Sequence, residues 1–143
     1  MAVVRPRLTG HPGYDVVLPR EPTTTAEARF LVGVALSTWG LNDDASDRAR
    51  LIASELVTNA VQHACGPVLR VVVERPAPDQ VYLGVVDRAP HHLPHRRVPG
   101  TGATRGWGLV LVDAFADRWG CDRAGSSTRP RSKCVWARIT AHP

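Results

Sequence analysis

The stretch from Leu51 to Ala64 constrains this chain most. No glycine or proline interrupts it, so it reads as a helix. At about 100° per residue, Ser54, Glu55, Thr58, Asn59 and Gln62 fall on one side, while Ala53, Leu56, Val57, Ala60, Val61 and Ala64 fall on the other. Such a helix must lay its dry face on a core and leave its wet face to solvent or to a ligand. Glu55, Asn59 and His63 follow one another at i, i+4 and i+8, a polar edge with roughly 6 Å between steps. By spacing alone, a solvated face and a binding edge are both open readings.

Around this helix the chain falls into one domain. Residues 1–13 hold Pro6, Gly10, Pro12 and Gly13 and read as a flexible leader, with a single domain over 14–143. Tyr14 to Pro19 is a short strand, placed at a sheet edge because proline ends it. Thr24 and Glu27 have the spacing of a capping box, and a first helix follows to about Trp39, offering Phe30, Leu31, Val34, Ala35 and Leu36 to the core. Gly40 stops it, and Asn42, Asp43 or Asp44 caps the second helix, which continues to about Ala64. The β-branched runs 68–74 and 80–86, joined by Arg75-Pro76-Ala77-Pro78-Asp79, predict a hairpin.

Between Asp87 and Arg105 the pattern gives way to prolines and glycines, the signature of a long functional loop or lid. A helix from Gly108 to Ala116 and strands near 117–121 and 133–140, joined by a flexible turn over 124–131, complete the chain. These elements predict an α+β fold, a two-layer α/β sandwich with about three helices on one face of a mostly antiparallel mixed sheet.

Charge and composition narrow the function. The net charge of +5 comes from 17 arginines against one lysine, Lys133, and the arginines are scattered without aromatic interleaving, which argues against direct nucleic-acid binding. No apolar run approaches the roughly 18 residues of a membrane span, and the first residues lack the apolar stretch of a signal peptide, so a cytoplasmic location is expected. Cys65, Cys121 and Cys134 are odd in number and have no Cys-x-x-Cys pair, which argues for reduced, partly buried thiols. His91, His92 and His95 invite a zinc reading, but Pro94 breaks their spacing and no partner ligand is obviously placed. No Gly-x-x-x-x-Gly-Lys-Ser/Thr loop occurs, which excludes a P-loop template.

Glu55-Leu56-Val57-Thr58-Asn59-Ala60-Val61-Gln62-His63-Ala64 resembles the N-box of the GHKL, or histidine kinase-like, ATPases, most of all their bacterial anti-sigma-factor serine/threonine kinase branch. The resemblance runs from about Val16 to Ile139. Its further pieces are Asp87 closing a strand, Gly106-Trp107-Gly108-Leu109 opening a helix, Ala116-Asp117-Arg118-Trp119-Gly120, and Lys133-Cys134-Val135-Trp136-Ala137.

The resemblance implies ATP and magnesium as cofactors. It implies Asn59 as the magnesium ligand, suited by its hard, neutral amide oxygen, and Glu55 as the base toward an attacking hydroxyl. His63 matches a position near the phosphates, and a histidine packed at the helix edge is the other reading. Asp87 would accept from the adenine amino group, with Ala89 beside it. Where the family has Asp-x-Gly-x-Gly, this chain has Asp87-Arg88-Ala89-Pro90-His91, so the adenine end is shaped without those glycines. Thr101, Gly102, Thr104, Arg105, Gly106, Trp107, Gly108 and Leu109 would bring free amides and donors to the phosphates at a helix start. Lys133 is either a residue at the edge of the site or an exposed strand-end lysine.

The implied function is an ATP-binding regulatory protein that transfers the γ-phosphate to a serine or threonine of an anti-anti-sigma partner and controls a sigma factor, acting as a homodimer. The alternative is a non-catalytic, ATP-gated interaction module. A histidine kinase is disfavoured because no phosphoacceptor helix precedes the domain in this sequence.

Overall fold

The structure is a computed structural model that describes residues 3–90, 107–125 and 130–143. Its elements are β1 (Val4–Pro6), β2 (Gly13–Pro19), α1 (Thr24–Thr38), α2 (Asp43–His63), β3 (Val68–Ala77), β4 (Gln80–Asp87), α3 (Trp107–Phe115), β5 (Arg118–Gly125) and β6 (Pro130–Thr140). The strands form one open six-stranded sheet in the order β1-β2-β3-β4-β6-β5, and every pairing is antiparallel rather than mixed. The helices pack on one face of it, with α2 in contact with α1, α3, β4 and β6.

Helix α2 is built as its pattern predicts. The Asn42 side chain accepts from the Ala45 amide at 2.8 Å, satisfying one of the free donors at the helix start. Ile52, Ala53, Leu56, Val57 and Ala60 are buried, whereas Ser54, Glu55, Thr58, Asn59 and His63 are half-exposed. The sheet supplies the other half of the core through Leu69, Val71 and Val73, Val81, Leu83 and Val85, and Val135, Ala137 and Ile139. Alternation fixes which side chains face the helices, since neighbours along a strand point to opposite faces.

Several local expectations are corrected. Residues 4–6, read as part of the leader, pair with β2 as an edge strand, so β2 is not itself at the edge. Arg7 then reaches Glu74 at 2.8 Å, and Thr9 donates to the same carboxylate oxygen at 2.8 Å. Burial alone would raise the Glu74 pKa, but the Arg7 and Thr9 hydrogen bonds outweigh it and hold it below the ordinary carboxyl value.

The capping box does not form. Thr23 is the N-cap of α1 without a side-chain bond, and the Thr24 hydroxyl donates to the Pro19 carbonyl instead, tying the helix to the end of β2. The buried face of α1 is Ala28, Val32, Ala35 and Leu36, while Phe30 and Val34 are 75% and 48% exposed. The sheet lies one helical step away from where the apolar count put it.

Candidate functional site

The site is set by strand register. In the β4–β6 ladder Val85 faces Val135 and Asp87 faces Lys133. Both pairs project toward α2, two residues apart on each strand. Above them α2 presents Leu56, Asn59, Ala60 and His63, and these eight side chains line one small pocket at the end of the strands. Asn59, His63 and Asp87, which the sequence assigns to one site, meet in this pocket.

The floor of the pocket carries charge. Lys133 Nζ donates to Asp87 Oδ1 at 2.8 Å, with the two side chains 4% and 2% exposed. Lys133 Nζ also donates to the Ala89 carbonyl at 2.8 Å, and the Ala89 amide donates to Asp87 Oδ1 at 2.8 Å. One expectation is overturned here: Lys133 is not an exposed strand-end lysine but is buried against the Asp87 carboxylate that lines the pocket. A lysine on β6 opposite a carboxylate on β4 is drawn inward because either charge, left alone at this depth, would be costly, and pairing with further hydrogen bonds offsets that cost. The signal in the sequence was its singularity among 17 arginines, but only the register identifies its partner.

Along the wet edge of α2, Asn59 makes no side-chain hydrogen bond to a described residue, so its amide oxygen is available to a ligand. It fits magnesium as a single neutral oxygen ligand, because that ion keeps most of its shell as water and phosphate oxygens. Among the described residues no group of three or more His, Cys, Asp or Glu side chains forms a cage for a metal. Glu55, one turn earlier, forms no ion pair with a described residue, and burial pushes its carboxyl pKa above the ordinary value. A carboxylate so perturbed is a better proton acceptor than an exposed one.

Of the loop residues assigned to phosphate, Thr101, Gly102, Thr104, Arg105 and Gly106 lie outside the described residues, as do His91, His92 and His95. Trp107, Gly108 and Leu109 begin α3 as expected, and Leu109 is buried. Asp117, part of the motif after α3, ties the end of β6 in place, its Oδ2 accepting from the Thr140 amide and hydroxyl at 2.6 Å each. The thiols of Cys65, Cys121 and Cys134 are free, with Cys65 exposed and the other two half-buried. No helix among the described residues is long and apolar enough to cross a membrane.

Three helices on one face of an open antiparallel sheet, with a polar helix edge over a strand-end aspartate, define an α+β sandwich of the GHKL type. Residues 18–139 match the model of the histidine kinase-like ATPase domain, and the chain belongs to that family. Membership implies an ATP-binding domain. No curated protein matches the chain.

Proposed function

We propose that the protein is a regulatory serine/threonine kinase of the anti-sigma type, using Mg-ATP to phosphorylate an anti-anti-sigma partner and thereby hold or release a sigma factor. The observation that supports this reading best is the edge of α2. It sets the perturbed Glu55 carboxyl one turn before Asn59, and Asn59 borders the Asp87 pocket.

ATP would supply the phosphoryl group. Asp87 would accept a hydrogen bond from the adenine amino group, Asn59 would hold the magnesium ion, and Glu55 would take the proton of the attacking hydroxyl. Ordering the phosphates would fall to the loop before α3, where free amides and the helix dipole favour anions.

The ion pair on the pocket floor is compatible with a second reading. A pocket already holding Asp87 and Lys133 in contact suits an ATP-gated interaction module without turnover as well as a kinase. Transfer of labelled phosphate from ATP to candidate anti-anti-sigma proteins separates the two. The kinase reading expects transfer by wild type and a loss of about 10²–10⁴-fold in Glu55→Ala with nucleotide binding nearly intact. Asn59→Ala should impair both. No transfer, combined with ATP-dependent partner binding that Glu55→Ala leaves undisturbed, replaces the kinase with the module.

We also infer a homodimer through the apolar groove between β1, β2 and α1. Val4, Tyr14, Phe30, Leu31 and Val34 line it beside the sheet edge formed by β1. A charge in the groove, as in Phe30→Glu, should shift the mass measured by light scattering from dimer to monomer; an unchanged mass rejects that surface.

A further inference from the structure

Lys133 is the only lysine of the chain, and it is 4% exposed at the floor of the pocket. Its ammonium bridges two groups on either side of Arg88, the Asp87 carboxylate and the Ala89 carbonyl, each at 2.8 Å. The Ala89 amide turns back to the same carboxylate oxygen at 2.8 Å. One side chain from β6 therefore fixes the whole Asp87-Arg88-Ala89 turn. No non-glycine described residue has a positive φ, so the turn is held by these bonds in ordinary backbone geometry.

The arrangement also fixes what Asp87 can offer a ligand. An ionised carboxylate only accepts hydrogen bonds, whereas a neutral carboxyl or an amide both donates and accepts. The Lys133 ammonium and the Ala89 amide both donate to Oδ1, so the lysine governs how the carboxylate is turned toward a ligand. With two donors converging on Oδ1, the plane of the carboxylate is set as well.

We propose that Lys133 is a specificity-determining positioning residue, which acts through Asp87 by keeping it an oriented, acceptor-only group that admits a purine with an exocyclic amino group and rejects one with a carbonyl there. The inference rests on the reading of this pocket as the ATP site. An amino group finds an acceptor in Asp87. The carbonyl of guanine meets a second acceptor and repulsion, unless the carboxylate is free to turn away.

Equilibrium binding of Mg-ATP and Mg-GTP to wild type, Lys133→Met, Lys133→Arg and the double variant Asp87→Asn with Lys133→Met tests it, with circular dichroism as the check on folding. Wild type should prefer ATP by about tenfold or more, the size of one hydrogen bond to a charged group. Lys133→Met should lower that ratio to near one, and Lys133→Arg, which retains a cation for the carboxylate, should keep most of it. A purely structural lysine would weaken both nucleotides alike and leave the ratio unchanged, which overturns the proposal.

Equal binding of both nucleotides by wild type overturns it too. Should Lys133→Met not fold, the double variant decides, because it leaves no buried charge unpaired and carries an amide able to donate. Retained adenine preference in that variant rejects the proposal. A wild type that binds neither nucleotide removes the ATP-site reading itself, whereas a selective wild type with a selective Lys133→Met removes only the role of Lys133.

Discussion

Arg20, just past β2, donates from Nη1 to the carbonyl of Val61 in the last turn of α2 at 2.9 Å, and from Nε to the Gly66 carbonyl at 2.7 Å. The final carbonyls of a helix have no partner within it, and a cation at that end also suits the helix dipole. Arg20 therefore anchors the turn that carries Asn59 and His63. Arg20→Ala should cost about 1.5–3 kcal/mol per bond that goes unreplaced. It should also speed amide exchange at residues 60–64, and exchange as slow as in wild type would reject the anchor.

Asp87→Asn should be destabilising as well as weak in nucleotide binding. The amide can still accept from the Ala89 N–H, but it leaves the buried ammonium of Lys133 without a counter-charge. Breaking a buried pair from one side costs about 3–5 kcal/mol. Urea unfolding without nucleotide measures this, and a loss under about 1 kcal/mol would mean that the pair is solvated.

Glu55→Gln should be more stable than wild type at neutral pH. Burial raises the Glu55 pKa in the folded state, so the folded protein holds that proton more tightly than the unfolded chain does. Its contribution is favourable below the ordinary carboxyl range and is lost as pH rises through the raised value. At pH 7 the ionised carboxylate is mildly unfavourable, by less than about 1 kcal/mol for a half-exposed group. The Tm difference should vanish below about pH 4, where the carboxyl is protonated in both states. A difference that persists there would implicate packing instead.

Gly120→Ala should destabilise the fold by about 1–3 kcal/mol, the range for overpacking. A Cβ on Gly120 would lie 2.8 Å from Cζ2 of Trp136, whose ring packs on the glycine and stacks with Tyr82 at 6.2 Å between centroids. This cluster lies on the sheet face away from the helices. ATP affinity of the folded variant should match wild type, and a large loss would link the two faces.

The legible parts of the site were those written on single elements. Glu55, Asn59 and His63 share an edge because a helix repeats every 3.6 residues, and Asp87 announces itself at the end of a β-branched run. The hairpin of β3 and β4, the cap at Asn42 and the stop at Gly40 are local chemistry of the same kind. The burial of Lys133 was not legible, because it depends on which residue of β6 lies opposite Asp87, across 46 positions of chain. Phe30 and Val34 misled because hydrophobicity shows that a helix has a dry side but not the angle at which the sheet meets it.

The sequence by itself determined the helices, the β3–β4 hairpin, the polar edge of α2 and the order of motifs that places the chain among histidine kinase-like ATPases, since these follow from periodicity and turn residues read over short distances. The tertiary structure alone decided that β1 completes the sheet, that Arg20 closes the end of α2, and that the aspartate at the pocket floor is paired with a lysine. Each of these is a contact between distant segments. Its energy depends on strand register and burial, which exist only once the sheet has formed.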